Sequence, residues 1–438
     1  MKKNGIALAL AALLAVSPLY ASEADLLQRL DRLANELENV KSELKKLKEE
    51  KEAKAKDLPA SVTMTASTSA APTSSTSSIA PIRTAITNQT TLFGYGEMNY
   101  NRPRKDTGQT QADLRRAVLG IGHRFDEKTE LAMELEFEHA VTSASDKGEV
   151  EVEQLTIDHH LSDKLTLRAG LFLVPVGLLN ERHEPTTFYG VERNFVETAI
   201  IPSTWREGGV MLRGNTDDQA LTWNVGVSTG FDLTKWNATS SEGRESPLRS
   251  IHQELQLAKA HDLSLLGAIN YRGIPGLTLG GFIFTGKAAH RTPAFAAPDA
   301  RVTLWDLHAR WTPGAWDLSA LYAKGAISNT EALNLTFVGN PTLVPKVFWG
   351  WYAQAAYKVW NQGDYSLAPF IRYERFNTAA KFADLGAGLT PEAAATEGVA
   401  TVGANFKLNS NVVFKADYQK FKVDTGRDRF NLGLGYMF

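Results

Sequence analysis

Between Thr91 and Phe438 large apolar side chains recur at every second position, in segment after segment. A period of two puts them on one face of a β-strand, because successive side chains point to opposite sides of the pleat. Over 131–138 one face is Leu131, Met133, Leu135 and Phe137, and the other is Ala132, Glu134, Glu136 and Glu138. Leu165, Leu167, Ala169, Leu171 and Leu173 oppose Arg168 in the same way, and Trp305, Leu307, Ala309 and Trp311 oppose Asp306, His308 and Arg310. Trp351, Ala353, Ala355 and Tyr357 alternate with Tyr352 and Gln354, and Val412, Phe414, Ala416 and Tyr418 with Lys415, Asp417 and Gln419. A soluble sandwich also alternates, but this many long strands with charged alternate faces would leave it overexposed. A barrel closed within a bilayer satisfies both faces, with lipid outside and water inside. Such a barrel also accounts for a mean hydropathy of -0.23, since the two faces average out.

Aromatic residues gather near strand ends, as at the two interfaces of a membrane. Short turns such as 312–316 and 408–412 alternate with long connections near 176–207, 232–262, 325–346 and 377–397. That asymmetry belongs to outer-membrane barrels. The chain therefore reads as an all-β membrane protein, a transmembrane β-barrel of about sixteen antiparallel strands over 91–438, wide enough for an aqueous channel. Its last strand, DRFNLGLGYMF (428–438), carries Phe430, Leu432, Leu434, Tyr436 and Phe438 on one face. That row is expected to face lipid while the strand closes the barrel.

The other end of the chain is of a different kind. Lys2 and Lys3 precede the apolar run 6–16 and the small residues Ala21 and Ser22, which together form a secretory signal peptide over 1–21. Cleavage falls after Ala21, with Ala24 as the alternative. The run is too short to span a bilayer as a helix, which needs ~20 residues. Losing both lysines takes the formal net charge from -2 to -4, which gives no basic footprint for nucleic acid. Cysteine is absent, so no disulfide framework supports the fold. Leu26, Leu30, Leu33, Leu37, Val40, Leu44 and Leu47 repeat with spacings of four and three, the seam of a short α-helical coiled coil over 22–56. With Leu at both seam positions, the pattern does not choose between two and three strands. Residues 57–90, rich in Ser, Thr, Ala and Pro, read as a flexible linker.

Four blocks, DLRRAVLGIG (113–122), LTLRAGLFLVPVGLLNE (165–181), PFIRYERFN (369–377) and VVFKADYQKFKVDTGRDRFNLGLGYMF (412–438), resemble the phosphate-selective porin O and P family. The likeness covers roughly 91–438. It implies a lipid-embedded homotrimer of sixteen-stranded barrels, a third external loop folded inward, and a coiled coil before the barrel in some members. It also implies anions such as phosphate as solutes. The alternation ending in Tyr436-x-Phe438 resembles the signal read by the barrel assembly machinery.

Catalytic patterns are weak. Gly226-Val227-Ser228-Thr229-Gly230 matches G-x-S-x-G, but it continues a strand instead of turning into a helix. The P-loop-like GFIFTGK (281–287) has Ala288 where Ser or Thr would bind Mg²⁺. His159 and His160 are neighbours on a strand and point apart, which disfavours a shared metal. No enzyme, metal or cofactor is expected. The expected function is a passive pore in the outer membrane of a Gram-negative bacterium, with the N-terminal segment in the periplasm. The rival is a structural barrel tethering a coiled coil to peptidoglycan or the cell wall. Anion-binding candidates along the pore are Arg116, Arg168 and Arg372 on strands, and Arg182, Arg193 and Arg206 in the long loop 176–207. Against an anion filter stand Glu134, Glu136 and Glu138, and in the same loop Glu181, Glu184, Glu192, Glu197 and Glu207. The expectation is weak or mixed selectivity, with loop arginines paired to loop glutamates.

Overall fold

The computed structural model describes residues 89–438, apart from 144 and 217, together with Glu38, Ser42, Lys45 and Lys46. The chain divides into two compact units, Met1–Arg83 and Thr84–Phe438. In the first unit the four described residues are helical and exposed, and none is a seam position. The signal peptide, the leucine seam and linker residues 57–88 lie outside the described residues, while Thr90, expected as the last residue of the linker, already opens the first strand.

The second unit is an antiparallel sheet that closes on itself. Its strands are β1 (Thr90–Pro103), β2 (Gln111–Arg124), β3 (Thr129–Glu138), β4 (Glu149–Ser162), β5 (Leu165–Leu173) and β6 (Arg206–Asn215). Next come β7 (Leu221–Ser228), β8 (Ser264–Tyr271), β9 (Leu277–Lys287), β10 (Arg301–Trp311), β11 (Trp316–Ser328) and β12 (Val347–Tyr357). The last are β13 (Trp360–Gln362), β14 (Tyr365–Lys381), β15 (Glu397–Lys407), β16 (Val412–Phe421) and β17 (Arg429–Met437). Three-residue β13 continues the line of β12 along β14, so the barrel has sixteen staves, as the sequence led us to expect.

Each stave pairs with its neighbour in sequence, and β1 pairs with β17 from Tyr95↔Met437 to Pro103↔Arg429. At the seam Phe438 and Gly94 exchange both backbone hydrogen bonds, at 2.8 and 3.1 Å. No open edge remains, the condition for strands to cross a bilayer, where an unpaired backbone group costs several kcal/mol. Glycines on β1 make room for β17. A Cβ at Gly94 would lie 3.0 Å from the Phe438 ring, and one at Gly96 equally close to the Tyr436 ring.

The two ends of the barrel differ. At one end the strands are joined by the turns 125–128, 163–164, 216–220, 272–276, 312–315, 363–364 and 408–411. At the other they are joined by 104–110, 139–148, 174–205, 229–263, 288–300, 329–346, 382–396 and 422–428. We call these the turn end and the loop end.

Outward rows are apolar. Phe430, Leu432, Tyr436 and Phe438 are all exposed on the outside, as expected of that row, as are Phe137, Leu155, Ile283, Leu307 and Ile371. Inward rows are polar and buried, among them Glu134, Glu136, Asp306, His308, Tyr352, Lys415, Asp417 and Gln419. A second, apolar core sits inside the barrel. Phe172, Val196, Ile200, Trp205, Phe231, Leu248 and Phe284 cluster there and pack loops 174–205 and 229–263 against the inner wall.

Candidate functional site

The third loop-end connection, 174–205, turns into the barrel and lies along its inner wall. Its own sequence builds it. Asn180 closes the base, donating to the carbonyls of Val174 and Trp205 (both 2.8 Å) and accepting from the Trp205 amide at 2.7 Å. The Glu197 carboxylate accepts from the amides of Leu178 and Leu179 and from the Asn194 side chain, at 2.7–2.8 Å. Gly177 passes this carboxylate with φ +65, a conformation in which a side chain would be strained. Val196, Ile200 and Ile201, on a single wide helical turn (Val196–Ile200) and the residue after it, are fully buried. That apolar contact holds the far half of the loop.

Strand charges then hold the loop to the wall. Asp417 accepts from the Val191 amide at 2.6 Å, Glu374 from the Phe195 amide at 2.6 Å, and Tyr352 donates to Glu197 at 2.9 Å. Lys407 donates to the Thr186 carbonyl at 2.8 Å, and Asn405 to that of Phe188 at 3.0 Å. Lys415 Nζ stands 3.5 Å from the centre of the Phe188 ring, a cation–π contact.

The densest contact is a buried knot around His183. Its Nε2 lies 2.5 Å from Glu153 and 2.6 Å from the Tyr95 hydroxyl, which donates to Glu153 at 2.8 Å. Arg116 donates to the His183 carbonyl at 2.5 Å and to Glu97 at 2.8 Å, and comes within 3.9 Å of Glu136. Two β-bulges aim this group. Between β3 and β4 the register slips so that Glu153 has no partner across the strand, and between β1 and β2 Arg115 is skipped, which leaves Glu97 opposite Arg116.

The six arginines singled out in the sequence have separate fates. Arg116 is buried in the knot. Arg168 makes a bidentate pair with Asp158, both bonds 2.7 Å. Arg372 is buried and donates to Glu374 at 3.1 Å and to the Tyr189 carbonyl at 3.1 Å. Arg193 bonds the hydroxyls of Ser203 and Thr204, and Arg182 is exposed. Arg206 is not a loop residue. It opens β6, with Glu207 after it, and pairs with Glu151 of β4 and with Glu254 at 3.0 Å. The expected pairing of loop arginines with glutamates of the same loop is thus corrected: among the described residues Arg193 and Arg206 meet hydroxyls, the wall carboxylate of Glu151 and Glu254 of the connection 229–263, and the strand arginines Arg116 and Arg372 meet wall carboxylates and loop carbonyls. The loop glutamates have their own tasks: Glu197 staples the loop, and Glu192 accepts from Asn99 and Asn101.

Tyr95, Glu97, Glu153 and His183 were not among the sequence candidates. Alternation in 93–101 puts Tyr95, Glu97 and Asn99 on one face and was the available signal; the bulge that turns Glu153 inward left none. At the loop end a polar cavity of ≈ 380 Å³ is lined by Asn99, Asn101, Gln111, Asp113, Glu192 and Arg429. His159 and His160 face opposite ways, one bonded to Thr129 and the other to Thr166. Ser228 is buried on β7, its hydroxyl bonded to the Thr229 carbonyl.

Comparison with known proteins agrees with this architecture. An uncharacterized protein of Aquifex aeolicus (strain VF5) is 29% identical over 359 residues, which covers 79% of each chain. The barrel superposes on Salmonella typhi OmpF, solved in complex with daunomycin, with a TM-score of 0.55 at 16% identity, over 80% of this chain and 98% of that one. The anion-selective porin from Comamonas acidovorans gives a TM-score of 0.50 at 13% identity, over 80% of this chain and 100% of that one. The outer membrane channel DcaP of Acinetobacter baumannii also gives 0.50 at 13%, over 82% and 100%. The family model for phosphate-selective porin O and P matches residues 90–253, the stretch that holds the knot and the inward loop.

Proposed function

We propose that the protein is a passive diffusion channel of the Gram-negative outer membrane for small hydrophilic solutes and ions. The observation that carries this reading is the closed sixteen-stave barrel with an apolar outer surface, a charged inner one, and a long loop drawn inside. In such a channel selectivity is set by what lines the path. Here most inward arginines already have carboxylate or carbonyl partners, which favours weak or mixed selectivity over an anion filter. Conductance of the purified protein in planar bilayers tests the channel. A barrel that inserts and passes no current would favour the structural reading, in which the barrel anchors a coiled coil to the cell wall.

The turn end belongs in the periplasm, together with the N-terminal segment. The signal peptide over 1–21, the coiled coil over 22–56 and the linker over 57–90 are part of this proposal, as is assembly through the Phe430–Phe438 row by the barrel assembly machinery.

A homotrimer is supported by the distribution of aromatics. Trp and Tyr belong where protein meets lipid headgroups. On the outer surface they occur on β1, β7, β8, β10–β14, β16 and β17, but β2 to β6 carry none. Those five adjacent staves present aliphatic residues such as Leu119, Leu155, Ile157 and Val210. A wall of this composition suits contact with a second copy. Beside it residues 254–257 fold over the outside of β6, with Glu254, Leu255 and Leu257 all in the left-handed region and Leu257 fully exposed. Leu255 rests against Gly208 there.

A further inference from the structure

The inner wall from β2 to β6 is charged unevenly along its length. At the loop end Glu138 stands directly opposite Glu149, and on the next rung Glu136 opposes Glu151. Like charges facing each other across a strand pair are destabilising, and nothing in packing requires them here. Arg206 partners Glu151, while neither Glu138 nor Glu149 has an ion-pair partner among the described residues. At the turn end the sign reverses. Arg124, Arg168 and Arg213 face Glu130 and Asp158 from the wall, and Arg272, in the turn 272–276 after β8, adds a fourth guanidinium beside Glu181 and Arg182 of the loop. The loop contributes Glu181, 3.8 Å from Arg213, and Arg182, which cancel.

The two zones are far enough apart to act separately. Eight residues of β3 separate Glu138 from Glu130, about 26 Å along the strand at ~3.3 Å each. With a strand tilt near 40° that is about 20 Å along the barrel axis. The Debye length is about 10 Å at 0.1 M salt and 3 Å at 1 M, so at moderate salt each zone imposes its own sign on the ions beside it.

We propose that this wall makes the channel rectify. An acidic collar at the loop end lies in series with a basic chamber at the turn end. When the loop end is positive, cations enter through the collar and anions through the chamber, and both accumulate where the zones meet. Reversing the voltage drives both kinds of ion outward from that junction and depletes it. Conductance is therefore higher with the loop end positive. Because the two zones oppose each other as filters, overall ion preference stays weak while the direction of current matters.

This rests on the channel reading, and one experiment separates their failures. Full-length protein is inserted in planar bilayers in KCl, with orientation assigned by an impermeant thiol reagent on Ser143→Cys, a loop position in a chain without cysteine. At 0.1 M the current ratio at opposite voltages should be about two-fold or more and should approach one at 1 M. Glu138→Gln combined with Glu149→Gln, and separately Arg213→Gln combined with Arg272→Gln, should each bring the ratio toward one in barrels that remain heat-modifiable. A conducting channel with a symmetric response at 0.1 M would overturn rectification and leave the channel standing. An asymmetry that persists at 1 M, or that both double variants leave unchanged, would also overturn it. Absence of conductance would remove both proposals.

Discussion

Removing one oxygen atom from the His183 knot should destabilise the whole barrel. Tyr95→Phe deletes the hydroxyl that donates to Glu153 at 2.8 Å and meets His183 at 2.6 Å, and leaves the ring in place. Glu153 is 0% exposed, so water cannot substitute. A hydrogen bond to a charged group contributes about 1.5–3 kcal/mol, and that is the expected loss. Arg116→Ala goes further, because it strands Glu97 and Glu136, both under 10% exposed, without their cation. Breaking a buried ion pair from one side costs about 3–5 kcal/mol. Both substitutions release His183, so the double variant should lose less than the sum, by about 0.5–3 kcal/mol. Urea unfolding in lipid vesicles, followed by tryptophan fluorescence, gives these differences. Tyr100→Phe on the outer face is the control and should stay within about 0.5 kcal/mol of the parent. Single-channel records give a second reading, since a loop freed from β1, β2 and β4 should make the open current noisier. If Tyr95→Phe unfolds at the same urea concentration as Tyr100→Phe and conducts as quietly, the knot does not hold the loop.

Other outcomes follow from the same architecture. Deleting Phe438 removes both backbone bonds to Gly94 and should lower the amount of folded, heat-modifiable barrel without affecting export; normal yield would refute its role in assembly. Gly94→Val, which puts a branched side chain under the Phe438 ring, should produce the same defect in milder form. Reversal potentials in a KCl gradient should show permeabilities for the two ions that are close to each other. A strong anion preference, saturable by phosphate and removed by Arg168→Ala or Arg206→Ala, would contradict the charge pairing described above. Leu155→Cys on the girdle-free wall should cross-link copies in the membrane, whereas Leu307→Cys on the opposite side should not; the reverse pattern would move the subunit interface.

Much of the barrel was legible because the membrane leaves the chain little choice. Alternation fixes which side chains face out, and the 131–138 and 412–419 rows lie as their period dictates. The lengths of the connections separated the two ends. The inner connections were harder to read. Which carboxylate meets which arginine depends on register, and the bulges at Glu153 and Arg115 reset it without any mark in the alternation. Arg206 and Glu207 looked like loop because Gly208 and Gly209 follow them, and two glycines erase the pattern that would announce a strand. The apolar residues of 174–205 and 229–263 carry no period of their own, so the core they build inside the barrel could not be foreseen from spacing.

The seam joins the first strand of the barrel to the last. No hairpin made early can finish the structure, because β1 keeps an unpaired edge until β17 arrives, and an unpaired edge invites pairing with other chains. Contacts of such long sequence separation form slowly, after the full loop entropy has been met. On the outer-membrane reading proposed above, the polypeptide therefore crosses the periplasm unfolded, with every lipid-facing row exposed to water, and closes only at the membrane. A chain stalled before β17 is an aggregation hazard, so helpers that shield apolar strands in transit are as much a requirement of this topology as the lipid that finally receives them.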